Sequence, residues 1–414
     1  MRIAIVGAGI SGLACAWYLH RLHDVAVFES QGRVGGHTNT VRVQRRDGET
    51  VAVDTGFIVF NDRTYPNFIR LLEELGASAR DSSMSFSVRC EKSGLEYNGT
   101  TINSLFAQRR NLLNPGFYGM ISDILRFGKE APAVIGAGHA RTLGEFLERG
   151  RYGRRFREHY ILPMAAAIWS APRDVIMGFP VEFFVRFFKN HGMLTVNDRP
   201  VWKTVAGGSY EYVRRMLDVL GSRVRSNAAV TRVERREDHV LVWTRDGVER
   251  FDRVILACHS DEALGVLGDA SMQEREILGA IRYQANETVL HTDTRLMPRR
   301  RLAWAAWNYH ICAGDEAPVA VTYNMNILQG LKTAETYLVT LNRADAVDPG
   351  KIIQKMVYHH PVFSQGAVRA QARHGEINGA RGTHYAGAYW GNGFHEDGVK
   401  SAIAACRDLL KAGA

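Results

Sequence analysis

Apolar and polar residues follow a strand–helix–strand pattern at the N-terminus of the chain. Apolar residues run from Ile3 to Val6, and a glycine-rich turn follows them. Apolar positions then recur at helical spacing from about Ser11 to Arg21, and a second apolar run covers Val25 to Glu29. Strand, turn, helix and strand in this order predict a βαβ unit.

The middle of the chain has the spacing of helices and the second half has the pattern of strands. Apolar residues recur three and four positions apart in segments 68–75, 117–127 and 143–156, which predicts helices there. Beyond residue 223 strand patterns return, with a hairpin turn at Asp246-Gly247. Further strand candidates are 287–293, 319–326 and 336–341, and a helix is predicted from Gly398 to Leu410.

This order implies that the first domain is interrupted in sequence. We expect it to be assembled from residues 1–60, 200–282 and 380–414. A helical insertion is expected at 61–199, and a mixed-sheet domain at 283–379. A length of 414 residues fits two or three such lobes.

The first 16 residues also allow a different interpretation, because Arg2 and the apolar residues up to Ala16 resemble a secretory signal. The regular glycine spacing favours a nucleotide-binding turn, since signal cleavage requires no such spacing. Elsewhere charges interrupt every apolar stretch before the roughly 18 to 20 residues that a spanning helix needs. We therefore expect a cytoplasmic protein without a membrane span.

The five cysteines are odd in number, far apart and without a C-x-x-C pair. This spacing argues against a disulfide framework and against a zinc site, so no metal is expected. The net charge is +9, and residues 101–160 hold ten Arg or Lys against five Asp or Glu. An anionic membrane surface, met peripherally at its inner face, or an acidic substrate fits this asymmetry; a solvated basic face is the alternative. No nucleic-acid motif accompanies the charge.

Glycines follow the first strand at G-x-G-x-x-G spacing, and an acidic residue closes the second strand. In such a turn the helix N-terminus directs free N–H groups at phosphates. Glu29 can accept hydrogen bonds from two ribose hydroxyls. The pattern predicts a dinucleotide site and leaves NAD and FAD open. The expected phosphate-binding residues are Gly7, Gly9, Ile10, Ser11 and Gly12.

The loop after Glu29, ESQGRVGGHT, favours FAD. It resembles the second fingerprint of the flavin-containing amine oxidase superfamily, in which an arginine and two glycines follow the ribose-binding glutamate. Arg33 can supply a charge-assisted contact, and the glycines let backbone amides approach closely. The residues expected near FAD in this loop are Ser30, Arg33, Gly35, Gly36, His37 and Thr38.

The resemblance extends over most of the chain. Segments 54–56, 229–230, 254–258 and 385–399 resemble further flavin-binding segments of that superfamily. It implies an α/β fold with a Rossmann-type FAD-binding domain of the amine oxidase type, a mixed-sheet substrate domain and a helical insertion. A helix N-terminus would then face the flavin C2 carbonyl. The additional cofactor-binding residues that it implies are Thr55, Gly56, Val230, Gly387, His395 and Val399.

Two departures from the superfamily pattern bear on activity. Ala388 stands where an acidic residue is usual, and segment 283–293 holds no lysine, although amine oxidases commonly have one near flavin N5. This weakens amine oxidation as the activity and leaves the flavoprotein fold intact. Segment 380–400 holds no cysteine, so we expect non-covalent FAD.

A narrower likeness comes from segments 202–209, 307–310, 322–326 and 389–398. They resemble a bacterial group of predicted NAD/FAD-binding proteins associated with cyclopropane, methyl-branched or furan fatty acid pathways. The resemblance implies a flavin-dependent, desaturase-like activity on acyl chains. Segment 179–188, rich in phenylalanine, could line an apolar tunnel or pack inward.

The expected activity is hydride transfer to flavin N5 from an unsaturated or methylated fatty acyl chain, giving desaturation or isomerisation. The alternatives are oxidation of an amine or amino acid and a non-catalytic flavin-binding role. His395 and Glu396 are acid–base candidates, and their alternative role is to contact or cap the start of the last helix. The expected catalytic residues are His395, Glu396, Tyr309 and Trp390.

Overall fold

A computed structural model describes residues 1–45, 47–137, 141–169, 171–195, 199–313 and 320–412. Residue 319, at the start of one predicted strand, and residues 413–414 of the expected FAD-binding range lie outside them. The strands are β1 (Arg2–Val6), β2 (Asp24–Phe28), β3 (Thr40–Gln44), β4 (Thr50–Asp54), β5 (Phe60–Asn61), β6 (Ala79–Asp81), β7 (Phe86–Cys90), β8 (Glu96–Asn98), β9 (Trp202–Val205), β10 (Val224–Arg225), β11 (Val230–Arg235), β12 (Val240–Thr244), β13 (Gly247–Phe251), β14 (Arg253–Leu256), β15 (Arg282–His291), β16 (Trp307–Ile311), β17 (Ala320–Asn324), β18 (Leu338–Leu341), β19 (Ile352–Val362) and β20 (Thr383–Tyr385).

The α-helices connect and cover these strands. They are α1 (Ile10–Leu19), α2 (Pro66–Glu74), α3 (Ile102–Leu105), α4 (Pro115–Glu130), α5 (Leu143–Arg149), α6 (Arg154–Phe156), α7 (Leu162–Trp169), α8 (Arg173–Met177), α9 (Val181–Asn190), α10 (Tyr210–Leu220), α11 (Ser260–Val266), α12 (Met272–Gly279), α13 (Met325–Leu328), α14 (Gln365–Ala372) and α15 (His395–Ala412).

A five-stranded parallel sheet has the order β10-β2-β1-β14-β20. Its central strands are apolar along nearly their whole length because both faces are covered. On one face α1, α10 and α15 pack against it, and on the other lie α11, α12 and the three-stranded sheet β11–β13. All five strands come from the three ranges expected for the FAD-binding domain; the boundaries of those ranges stay a prediction.

A seven-stranded mixed sheet has the order β19-β15-β18-β17-β16-β7-β8. Its pairs are antiparallel except β16 with β7. Strands β7 and β8 come from the range expected to be a helical insertion. β7 pairs with β16 and β8 pairs with β7, so both strands extend this sheet, while their Val88 and Tyr97 side chains pack into the core of the insertion.

The helices of the insertion bury an aromatic core. Its side chains include Phe117, Phe127, Phe156, Phe184 and Phe188, each at most 1% exposed. The phenylalanine-rich segment 179–188 thus turns several of its rings inward. The predicted helix 143–156 is divided into α5 and α6 by a turn between two glycines, where Arg151 has a φ of 49°. Among the described helices, none is both long and apolar enough to cross a membrane.

Candidate functional site

A cavity of about 1400 Å³ lies where the parallel sheet and the mixed sheet meet. Its wall takes Val6 and Phe28 from the carboxyl ends of β1 and β2, and Ala257 and Gly387 from the residues just after β14 and β20. The opposite wall comes from β19, α7 and α9. The carboxyl edge of a parallel sheet is the usual place for a bound nucleotide.

The glycine turn between β1 and α1 forms one end of this cavity. Gly7 has a φ of 99°, and its N–H donates to the Phe28 carbonyl at 2.8 Å. A Cβ on Gly12 would lie 1.9 Å from the Gly7 carbonyl oxygen, so glycine is required there for helix packing. A Cβ on Gly9 would meet no atom within 4 Å. Because Gly9 lines the cavity, that free space is where phosphates would be bound.

Glu29 lies at the end of β2 with its carboxylate fixed on both oxygens. Oε2 accepts from the backbone N–H of Ala8 at 3.0 Å, and Oε1 accepts from the N–H of Gln31 at 2.9 Å. The residue is 8% exposed and lines the cavity. Oε1 also accepts from Ser30 Oγ at 3.3 Å, and Oε2 has a second lone pair that can accept from a ribose hydroxyl.

Arg33 stabilises the conformation of the loop after Glu29. The Arg33 guanidinium donates to the carbonyls of Thr38 at 2.9 Å and Gly36 at 2.6 Å. Gly36 has a φ of 58°, and a Cβ there would lie 3.1 Å from the Gly9 Cα. The two glycine loops therefore pack directly against each other. Together with the start of α1 and Glu29, they fit the phosphates and ribose of an extended dinucleotide such as FAD.

Helix α15 begins at the far end of the cavity with His395. Its Nε2 lies 2.9 Å from Thr38 Oγ1 and 3.1 Å from Tyr212 OH, and these two hydroxyls also bond each other. The ring stacks on Phe57 with centroids 3.5 Å apart. Burial lowers the pKa of His395 to about 3, so the imidazole is neutral. With Nε2 occupied by two hydroxyls, the arrangement favours a positioning role.

Glu396 does not line the cavity, which corrects the expectation that it acts in acid–base chemistry. Its carboxylate accepts from the backbone N–H groups of Asn67 and Phe68, and from Asn67 Nδ2 at 2.6 Å. It thereby caps the N-terminus of α2. Asp397 accepts from the N–H groups of Asn392 and Phe394. The capping alternative describes both carboxylates.

Two other expected catalytic residues lie outside the cavity wall. Tyr309 is two residues further along β16 than the cavity-lining Trp307, and it packs against the core of the insertion. Trp390 packs between His374 and Tyr389, at centroid distances of 4.3 and 4.9 Å. The turn before α15 directs Tyr389, not Trp390, to the cavity wall.

Most of the expected cofactor-binding residues are brought together. The cavity wall contains Gly7, Gly9, Ile10, Ser11, Glu29, Ser30, Arg33, Gly36, His37, Thr55, Gly56, Val230, Gly387 and His395. Gly12, Gly35, Thr38 and Val399 do not reach it. Gly12 and Val399 pack in the interior, Thr38 supports His395, and Gly35 permits the tight turn at a φ of 117°.

A cluster of rings beside these loops combines His37, which the sequence predicted near FAD, with four rings that it did not predict. His37 lies 5.0 Å from Tyr358 and 5.3 Å from His360, and His259 stacks on Tyr283 at 4.3 Å. Burial, with the neighbouring imidazoles, lowers the pKa of His360 to about 4 and that of His37 well below its usual value. They lie on β15, β19 and two remote loops, so only the fold brings them together.

The part of the cavity beyond Phe57 is aromatic and apolar. The side chains that line it include Tyr160, Met164, Trp169, Phe187, Trp307, Tyr323 and Phe363. Among the described residues, no lysine lies in the cavity wall. Its carboxylates are Glu29, Glu262 beside the parallel sheet, and Asp81, which pairs with Lys203 at 2.9 Å.

His191 is the one imidazole that the described wall contributes to this apolar part. Its Nδ1–H donates to the Phe187 carbonyl at 2.9 Å, and Nε2 lies 3.3 Å from Thr64 Oγ1. Burial lowers its pKa to about 4. Sequence reasoning missed His191 because it follows α9 without any motif.

The family model described as flavin containing amine oxidoreductase matches residues 10–298. The chain belongs to this family. Flavin-containing amine oxidase A of Canis lupus familiaris is 26% identical over 259 residues, which cover 58% of this chain and 46% of that protein. A protein of Mycobacterium tuberculosis named as flavin-containing monoamine oxidase AofH is 26% identical over 78% of this chain and 70% of its own length. The match thus spans about half of the canine relative.

Solved structures of the same fold cover nearly the whole chain. A fatty acid isomerase from P. acnes that produces CLA matches with a TM-score of 0.71 and 18% identity, over 98% of both chains. Cyclohexylamine oxidase from Brevibacterium oxydans matches with a TM-score of 0.72 and 16% identity, over 100% of this chain and 99% of its own. These likenesses confirm the amine oxidase-type fold.

Family membership confirms FAD as the cofactor and places the chain among the oxidoreductases of the amine oxidase superfamily. The cradle fits FAD independently: two glycine loops in contact, a helix start with free N–H groups and a fixed carboxylate surround one cavity. Among the described residues no group of three or more His, Cys, Asp and Glu could hold a metal ion.

Proposed function

We propose that this FAD-dependent oxidoreductase acts on an apolar chain, an unsaturated or methylated fatty acyl group, and desaturates or isomerises it. The observation that carries the proposal is the composition of the cavity beyond Phe57. Aromatic and aliphatic side chains form most of that part, and the carboxylates of the wall lie beside the parallel sheet or are paired. Arg199 also lines the cavity, close enough to Tyr160 that its charge partly offsets the rise that burial causes in the pKa of that phenol.

An alkyl chain gains free energy from such a wall, because each buried CH₂ contributes about 0.8 kcal/mol. A protonated amine would lose its hydration there without a carboxylate partner. An acyl chain that fills this part would displace water from it, which would protect a reactive C–H centre from side reactions. These features favour a hydrocarbon substrate over a cationic one.

FAD, when bound, supplies a two-electron acceptor for a hydride from carbon. Loss of a hydride and of a proton from the neighbouring carbon leaves a double bond. In an isomerisation the hydride and a proton return to the chain at different carbon atoms, so no external electron acceptor is needed. Desaturation needs an external electron acceptor. His191 is our candidate for the proton: its Nδ1–H donates to the Phe187 carbonyl, and in the neutral imidazole Nε2, which lies 3.3 Å from Thr64 Oγ1, is the nitrogen that can accept.

The fatty acid isomerase from P. acnes supports the proposal, because it has this fold over almost all of both chains. The second candidate is oxidation of an amine. It is favoured by the relatives named as amine oxidases, and the absence of lysine from the described cavity wall argues against it.

Anaerobic mixing of the FAD-loaded protein with substrates tests the two candidates. One panel holds unsaturated and methyl-branched fatty acids and their phospholipids, and the other holds primary amines and amino acids. We expect acyl chains to bleach the visible flavin absorbance or to change their double bonds in mass spectra. A response to amines alone would overturn the proposal, and no response to either panel would support a flavin-binding role without catalysis.

The His191→Gln variant tests the proton assignment. It keeps a side chain that can hydrogen-bond the Phe187 carbonyl but cannot exchange a proton near neutral pH. We expect acyl-chain turnover to fall at least about a hundredfold, the usual size of an acid–base contribution, with FAD content unchanged. The control is His310→Gln, a buried histidine that does not line the cavity.

A further inference from the structure

The surface formed by α3, the turn after it and α4 exposes an unusual number of large apolar side chains. Ile102 is 80% exposed, Leu113 is 90% exposed, and Leu125 is 57% exposed. Leu112 and Tyr118 are about half exposed beside them, and Tyr118 OH donates to the Leu112 carbonyl at 3.1 Å. These five residues are called the exposed apolar face below.

The face is continuous in space. Arg109 donates to Asn103 Oδ1 at 2.6 Å, which joins the turn to α3 next to Ile102. Tyr118 and Leu125 are seven residues apart on α4 and therefore point the same way. The opposite side of α4 buries Phe117 and Phe127 in the core of the insertion. The helix thus has an apolar side in the core and a second one in solvent.

The face is surrounded by arginines that lack carboxylate partners. Arg109 and Arg110 donate to backbone carbonyls and to Asn103, and Arg155 donates to Asn114 Oδ1 at 2.9 Å. Within the described part of the chain none of these three forms an ion pair, and segment 101–122 contains no Asp or Glu. Their positive charge is uncompensated locally.

We propose that the exposed apolar face and its three arginines dock on an anionic phospholipid bilayer. Exposed leucine and isoleucine side chains would enter the boundary between headgroups and acyl chains, and the guanidiniums would contact phosphates. Each basic side chain near such a surface strengthens binding about fivefold. A protein partner with an apolar patch would not account for three unpaired arginines on the rim.

Docking would also fix the orientation of the cavity relative to the bilayer. A Cβ on Gly128 of α4 would lie 2.3 Å from the Leu194 carbonyl oxygen, so this helix touches the turn that supplies Met193 to the cavity wall. Leu125 of the exposed apolar face is one turn away from that contact. The inference goes beyond the proposed function and does not depend on it, since bilayer binding requires no acyl-chain chemistry.

Co-sedimentation of the FAD-loaded protein with vesicles tests the docking. We expect binding to vesicles of phosphatidylcholine with phosphatidylglycerol, weaker binding at high salt, and little binding to phosphatidylcholine alone. Leu113→Asp and Ile102→Asp should each lower binding at least about tenfold, and Arg110→Glu about tenfold or more, because it replaces attraction by repulsion. FAD content and circular dichroism show that each variant is folded.

Met272→Asp is the matched control. Met272 is 82% exposed on α12, in the part of the molecule that holds the parallel sheet, so its replacement should leave vesicle binding unchanged. The docking is overturned if the wild-type protein stays in the supernatant or if Leu113→Asp and Met272→Asp bind alike. It is also overturned if light scattering shows a dimer that Leu113→Asp dissociates while vesicles do not bind.

Discussion

The carboxylate of Glu29 accepts a hydrogen bond from the backbone N–H of Ala8, with Oε2 and N 3.0 Å apart. This bond joins the end of β2 to the turn after β1. It fixes the carboxylate at the cavity wall before any ligand arrives, so little conformational entropy remains to be lost when a ribose binds.

The Glu29→Gln variant should therefore bind FAD about 10 to 100 times more weakly. The amide keeps the shape but loses charge-assisted bonds, each of which contributes about 1.5–3 kcal/mol. Titration of the apoprotein with FAD, followed by tryptophan fluorescence, measures the loss. Asp81→Asn is the control, since Asp81 lines the apolar part of the cavity and pairs with Lys203. Equal losses in both variants would contradict the assignment.

Thr38 hydrogen-bonds the His395 imidazole, and its replacement should lower the free energy of unfolding. Thr38 is fully buried, and its hydroxyl bonds both His395 and Tyr212. Thr38→Val leaves those two polar groups with one partner fewer, which costs about 1–3 kcal/mol. Urea denaturation of the apoprotein measures the change. Thr38→Ser keeps the hydroxyl and should lose less than Thr38→Val; the reverse order would show that packing dominates.

The sequence predicted the parts of the site that are close together along the chain. Strand, glycine turn, helix and Glu29 follow one another within 30 residues, and local backbone geometry determines their arrangement. The second glycine loop also carries its own signal, because Gly36 has a φ of 58° and a Cβ there would lie 3.1 Å from the Gly9 Cα.

Contacts between remote segments could not be predicted in this way. Glu396 caps α2 through Asn67, 329 residues away in sequence, and nothing near Glu396 distinguishes a cap from an acid. Likewise β7 pairs with β16, more than 200 residues further along the chain. The mixed sheet therefore includes strands from a region whose apolar spacing predicts helices. His191 enters the cavity because α9 packs on remote residues, with Phe187 stacked on Phe394 and Phe183 against Phe363.

His291 makes the stability of the protein depend on pH. It is fully buried, its Nδ1 accepts from the Asp293 N–H at 3.0 Å, and Nε2 bonds Thr340 Oγ1 at 2.7 Å. Burial lowers its pKa to about 4, against about 6.5 in the unfolded chain. Between these values only the unfolded state binds the proton, so the stabilising contribution is complete above about pH 6.5 and is lost as the pH falls towards 4.

From about pH 7.5 to about pH 5 this single group should remove about 2 kcal/mol of stability. His291→Gln cannot take up the proton, so the difference between its unfolding free energies at those two pH values should be smaller by that amount. Urea denaturation at both pH values gives the comparison. Other buried histidines contribute equally to both proteins and cancel. The same pH dependence in variant and wild type would exclude His291 as the titrating group.

Gly9→Ala and Gly12→Ala should impair the protein in different ways, although both glycines belong to the same G-x-G-x-x-G motif. A Cβ on Gly9 meets no protein atom within 4 Å and projects into the cavity, so Gly9→Ala should fold with nearly wild-type stability and lose FAD binding. A Cβ on Gly12 would lie 1.9 Å from the Gly7 carbonyl oxygen, so Gly12→Ala must displace α1 from β1.

We expect the overpacked Gly12→Ala apoprotein to unfold at lower urea concentration, with a loss of about 1–3 kcal/mol or more. Thermal and urea denaturation of the two apoproteins separates the effects, and FAD titration follows on whichever variant folds. A Gly9→Ala protein that retains full FAD affinity would mean that the phosphates do not approach the turn at Gly9. A Gly12→Ala protein as stable as wild type would mean that α1 can shift away from β1 without cost, contrary to the close packing of the turn.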